Sequence, residues 1–176
     1  FFSIRNFRNE ETLDNKIISF SFIQFFLVVI SFLGLVFSFV YSDFSNETVF
    51  NNSHTTKPLF YKISGTWGNH EGSLLLWLVV LTLFIFLFLI RSKGLLKRYR
   101  ILTVLFQQII IIGFFVFLIK SSSPFNYILP APDEGLGLNP ILQDPALAIH
   151  PPILYLGYVG SSIIFSIVLA ATTLNY

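Results

Sequence analysis

Long apolar runs broken by short polar segments dominate the chain. Crossing the roughly 30 Å hydrocarbon core of a bilayer takes about 20 apolar residues in a helix. Four runs qualify: Ile17–Tyr41, Gly72–Ile90, Ile101–Ile119 and Ile153–Leu174. This pattern predicts an all-α integral membrane protein with four transmembrane helices. Two longer outer-side loops are expected to carry short interfacial helices. The first run is long enough to tilt or to project beyond the membrane. It is too long for a cleaved signal peptide and lacks a small-residue cleavage site. No run carries Asp, Glu, Lys, Arg or His near its centre. The strongly polar insertions are Gln24 and the pair Gln107–Gln108, amides expected to bond neighbouring helices. The whole chain, 1–176, reads as a single membrane domain.

Composition agrees with that class. Of the 176 residues, 54% are hydrophobic and 11% charged, against about a quarter charged in a soluble domain. A net charge of +2 gives no reason to expect a nucleic-acid partner, and membrane lipid is the solvent of the spans. With no cysteine, the chain can form no disulfide, zinc–thiolate site, iron–sulfur cluster or Cys-x-x-Cys-His haem attachment site. The charge is also asymmetric. Arg5, Arg8 and Lys16 precede the first span, and Arg91, Lys93, Lys97, Arg98 and Arg100 fill the short loop between the second and third. The two longer loops hold only Lys57, Lys62 and Lys120. Basic loops stay on the cytoplasmic or matrix side, so both termini are expected there. The loops Ser42–Glu71 and Lys120–Pro152 then face the opposite compartment and are the expected place for function.

In the first of these loops, Tyr61, Trp67 and Trp77 are amphipathic aromatics suited to headgroup level. Gly65, Gly68 and Gly72 permit close backbone approach. Ser73 is the expected N-cap of the second span, with His70 and Glu71 just outside it. Two readings stay open: an interfacial segment anchored by tryptophan, or a platform for a flat aromatic ligand or a partner peptide. The second loop is stiffened by Pro124, Pro130, Pro132, Pro140, Pro145, Pro151 and Pro152. Asp144 suits the cap of a short surface helix, Pro145–Ile149. Pro151–Pro152 suit the first turn of the last span. His150 would sit between those elements, where the positive end of the span's dipole favours neutral, metal-binding imidazole and attracts haem propionates. A structural histidine fits the same position. Phosphate-loop, His-Glu-x-x-His and Gly-x-Ser-x-Gly motifs are absent.

Two stretches, GTWGNHEGSLLLW (65–77) and LNPILQDPALAIHPPILYLGYVG (138–160), resemble the haem lyase family of cytochrome c maturation, CcmF type. SSSPFNYIL (121–129) is similar to the family's stretch before the second of them. The resemblance covers roughly Lys57–Leu174 well and the first span weakly. It implies a polytopic protein of a bacterial or mitochondrial inner membrane. Such a protein receives haem b, as a transient substrate, from a haem chaperone. It helps join the haem vinyl groups to the cysteines of apocytochrome c. The histidine of the family's His-Pro-Pro motif, here His150, is implied as an axial ligand of the haem iron. Trp67, Trp77 and, ranked below them, His70 are the implied contributors to the haem-facing surface. Catalytic residues are not identified. The chain stops at Tyr176, before the family's tryptophan-rich signature, second outer histidine and membrane-embedded haem ligands. It therefore reads as an N-terminal piece of a larger or split lyase, inactive alone and completed by the fragment carrying that signature. Its Phe, Ile and Leu content favours a mitochondrial inner-membrane setting over the bacterial alternative. The rival reading is an accessory membrane subunit of a respiratory complex, keeping the fold without haem transfer.

Overall fold

The computed structural model describes residues 2–175, with side chains from Thr12 to Asn175. Its helices are α1 (Phe2–Tyr41), α2 (Glu47–Asn52), α3 (Leu59–Gly65), α4 (His70–Arg91), α5 (Lys97–Ser121), α6 (Pro145–Tyr158) and α7 (Ser161–Leu174). A single 3-10 turn, Pro140–Leu142, precedes α6. The described residues form no strand. Four stretches are long and apolar enough to cross a membrane: Thr12–Tyr41, His70–Arg91, Lys97–Ser121 and the tandem α6–α7, Pro145–Leu174. The protein is an all-helical, multi-pass membrane protein. The face bearing the two long loops is called outer below.

Helix α4 is the centre of the bundle, touching α1, α5, α6 and α7. Leu75, Leu78, Leu81, Ile85 and Leu89 of α4 are buried with Leu35 and Phe39 of α1 and with Val104 and Ile111 of α5. The sheath is apolar too, and Phe20, Ile30, Ile109 and Ile164 are among its exposed residues. That inside-and-out apolarity is what a lipid solvent requires. The glutamines join helices as expected. Gln24 and Gln108 exchange amide hydrogen bonds at 3.1 and 2.6 Å. Gln107, fully buried, donates to Ser162 Oγ at 2.7 Å and accepts from Ser166 Oγ at 2.8 Å. These bonds tie α5 to α1 on one side and to α7 on the other.

The inner end holds a feature that the basic-loop pattern concealed. Arg100 is buried, and its guanidinium reaches Asp14 Oδ2 at 2.7 Å and Ser92 Oγ at 3.1 Å. One residue of an orienting loop thus clamps α1 to the α4–α5 hairpin.

At the outer end of α1 the Phe39 ring packs on Gly65 of α3. The two long loops fold onto each other there as a cap. Glu47 N donates to Asn126 O at 2.9 Å, Ile128 N to Ser45 O at 2.8 Å and Gly137 N to Ser53 O at 3.0 Å. Gly137 needs its glycine, with φ at +92°.

Two expected boundaries move. Helix α4 starts at His70, so His70 and Glu71 are its first two residues rather than outside it. Its cap is Asn69, not Ser73: Asn69 Oδ1 accepts from Gly72 N at 2.7 Å. Asn69 Nδ2 also donates to Gly65 O at 2.7 Å, fixing the preceding turn, which the short Ser73 side chain one turn later cannot do. The second change is in α6. It runs unbroken from Pro145 to Tyr158 with Pro151 and Pro152 inside it, where a five-residue helix and a fresh start at Pro151 were expected. The actual break falls at Val159–Gly160, against the ring of Phe84.

Candidate functional site

Helix α6 begins where Asp144 Oδ1 accepts from Ala146 N at 2.9 Å and Leu147 N at 3.0 Å, with Pro145 in the first turn. Tandem α6–α7 has 30 residues, about 45 Å at 1.5 Å per residue. A hydrocarbon core takes up about 30 Å of that. His150, five residues in, lies about 8 Å from the outer end of the tandem, close to where a centred core would begin. His150 is in the second turn of α6, so the first-turn dipole argument does not transfer to it.

Two prolines inside a helix remove two N–H donors, and the carbonyls of Leu147 and Ala148 lose their partners. Leu147 is exposed, but Ala148 is only 4% exposed, so its carbonyl needs a protein donor. Trp67 provides it, its indole N–H reaching Ala148 O at 2.8 Å. A second tie follows two turns deeper. Ser73 Oγ donates to Trp67 O at 3.0 Å and lies 3.0 Å from the Tyr155 hydroxyl. Below it the Trp77 ring meets Tyr155, Tyr158 and Phe114 with centroids 5.4, 6.4 and 5.2 Å apart. Trp67, Ser73 and Trp77 thus hold the outer half of α6 against α4.

That clamp sets the exposure of His150. Its imidazole faces outward and takes no hydrogen bond from any described residue, leaving both ring nitrogens open. Ile153, Leu154, Gly157 and Tyr158 follow at three, four, seven and eight residues, all exposed. They continue the same helix face. The result is an unencumbered imidazole above an apolar stripe. An addition at Gly157 would meet nothing within 4 Å, so the stripe is flat at that point.

The four candidate residues do not converge on one point. Trp67 and Trp77 both lean on α6, and Trp67 lies beside the turn that carries His150. His70 turns toward α5, its Nδ1 3.1 Å from Ser122 Oγ and its ring edge-on to Phe117 at 6.2 Å. Tyr155 and Asn69 are positioning residues that no local pattern singles out, although both lie within the two family-like stretches. Asn69 acts locally, on Gly65 and Gly72, whereas the partner of Tyr155, Ser73, is 82 residues away. The described residues contain no group of three or more His, Cys, Asp or Glu side chains able to hold a metal ion.

In the cap, Glu134 accepts from Thr55 N at 2.9 Å and from its hydroxyl at 2.5 Å. The hydroxyl bond most of all holds the carboxyl at about 2, well below its ordinary range. Burial brings Lys57 down to about 8.

Residues 67–176 match the family described as cytochrome C assembly protein, a segment that includes Trp67, His70, Trp77 and His150. The cytochrome c-type biogenesis protein CycK of Rhizobium meliloti is 50% identical over 147 residues, covering 84% of this chain and 22% of that protein. The cytochrome c-type biogenesis protein CcmF of Escherichia coli is 40% identical over 153 residues, covering 86% of this chain and 24% of its own. NrfE of Haemophilus influenzae, also a cytochrome c-type biogenesis protein, is 38% identical over 169 residues, or 96% of this chain and 27% of that one. The chain therefore spans about a quarter of the length of these relatives. No solved structure matches it. With four spans, an outer cap and a clamped His-Pro-Pro helix inside the matched segment, this chain belongs to the cytochrome c assembly protein family, CcmF type.

Proposed function

We propose that this chain takes part in cytochrome c maturation as a membrane subunit of a haem lyase, with His150 as one axial ligand of haem b at the outer face. The observation that carries this reading is the exposed His150 imidazole, open at both nitrogens on a helix held by Trp67 and Tyr155. The apolar stripe beneath it suits a porphyrin face, and Trp77 stiffens that stripe through Tyr158. In thioether formation a cysteine S–H adds across a haem vinyl C=C. This chain has no cysteine, so both thiols come from apocytochrome c. Its own part is to hold and present the haem. A haem chaperone on the outer side delivers it, and a companion segment with the tryptophan-rich signature completes the site. His70, bonded to Ser122 on the α5 side, ranks below His150 as a haem contact. The setting is the mitochondrial inner membrane. The relatives named above are bacterial, which makes a bacterial inner membrane the alternative.

The test is the haem content of the native assembly, purified with its partner chains, before and after His150→Ala. The expected result is loss of most of the b-type haem with the same chains co-purifying. Unchanged haem in an intact assembly would favour a structural subunit that keeps the fold without the chemistry.

A further inference from the structure

A second site lies on the other side of α5. At the outer end, a polar pocket of about 260 Å³ is lined by Glu47 and Asn51 of α2, Glu71 of α4, Lys120 of α5 and Asn126, among others. Beneath it, an apolar cavity of about 150 Å³ shares Ile119 and Ser123 with the pocket. That cavity shares Val28, Ser31 and Phe115 with a membrane-facing groove of about 470 Å³ between α1 and α5. Along α1 the groove runs from Phe20 to Ser31, about 16 Å at 1.5 Å per residue, close to the depth of one leaflet. A charged pocket over a leaflet-deep apolar groove has the layout of a headgroup and its acyl chain.

The charges identify the headgroup. Glu47, Glu71 and Lys120 have no side-chain hydrogen bond or ion pair to any described residue. Two free carboxylates and one ammonium give the pocket a formal charge of −1. A net-anionic headgroup is repelled by that balance. A zwitterion matches it, with its phosphate on Lys120 and the neighbouring serine hydroxyls and its cation on the carboxylates. A primary ammonium donates three hydrogen bonds, which carboxylates can accept, whereas a quaternary ammonium donates none.

The geometry points to a bound phospholipid with a primary-amine headgroup, phosphatidylethanolamine in chemical class, its head between Glu47, Glu71 and Lys120 and one chain in the α1–α5 groove. It braces the outer cap against the bundle, because α2, α4 and α5 each contribute a wall.

The test uses the native assembly in nanodiscs doped with a photoactivatable phosphatidylethanolamine bearing a diazirine on its acyl chain. A phosphatidylcholine probe with the same chain serves for comparison, and labelled peptides are mapped. At least fivefold stronger labelling of Val28–Ser31 and Phe115–Ile119 by the ethanolamine probe is expected. The double change Glu47→Gln with Glu71→Gln should erase that preference. Lys120→Ala should lower labelling by both probes, and Lys120→Arg should retain it. Co-purification of the same partner chains shows that each variant has folded. Equal labelling by the two probes, or a groove labelled by neither because protein covers it, would overturn the assignment.

Discussion

The indole N–H of Trp67 donates to the carbonyl of Ala148 at 2.8 Å, and that carbonyl is free because Pro152 has no N–H to offer it. The two motifs of the family segment, around Trp67 and around the tandem prolines, are thus halves of one interaction. The prolines open a buried acceptor inside a helix, and the tryptophan closes it two residues from His150.

This relationship predicts a non-additive pair. Trp67→Phe leaves the buried Ala148 carbonyl unsatisfied and should cost about 1–3 kcal/mol. Pro152→Ala restores an N–H aimed at the same carbonyl. Trp67→Phe should therefore cost about 1 kcal/mol or more less in the Pro152→Ala background. Thermal unfolding of the four variants of the assembly measures the difference, and equal costs in both backgrounds would refute the shared acceptor.

The inner clamp should behave as a buried ion pair. Arg100→Ala strands Asp14, whose Oδ1 is buried without a partner among the described residues, and should cost about 3–5 kcal/mol. Replacing both partners at once, Asp14→Leu with Arg100→Met, should cost less than Arg100→Ala alone. Protease resistance of the α1–α4 contact in detergent reads this ordering.

Gly72 has no room for a side chain, since a Cβ there would run into the Thr66 carbonyl. Gly72→Ala should displace the Asn69 cap and loosen the start of α4. A loss of hydrogen-exchange protection at Gly72 and Ser73, with α7 unchanged, is the expected signature.

Acid should loosen the cap. The Glu134 carboxyl is held near 2 against an ordinary 4.5, mainly by the Thr55 hydroxyl. A depressed carboxylate contributes stability in full above its unfolded value and loses it as pH falls through the folded one. The tie between the loops should therefore weaken between pH 4.5 and about 2. Glu134→Gln should flatten that dependence in proteolysis of the Thr55 loop. The group is exposed, so the effect is small.

Much of this was legible in the chain itself. The four spans and the helix-joining role of Gln24, Gln107 and Gln108 follow from apolar run lengths and from amides in a lipid setting. The start of the last helix was not. Two prolines ordinarily open a helix, and only the Asp144 cap together with a donor 81 residues away, Trp67, lets α6 run through them. Arg100 was hidden for a similar reason. Its neighbours Lys97 and Arg98 are orienting charges, and nothing local separates it from them. Its partner Asp14 lies 86 residues earlier. The ties between the two outer loops and between Trp67 and α6 come from such distant pairs, which periodicity does not report.

The central claim is that His150 binds iron directly, and chemical rescue tests it most closely. In the native assembly carrying His150→Gly, the ratio of haem to protein is measured from the reduced spectrum with and without added imidazole. The account predicts loss of haem that imidazole restores, because the ligand fills the space left by the side chain. Haem that stays at the native level, or that is lost from an intact assembly and not restored, would contradict it.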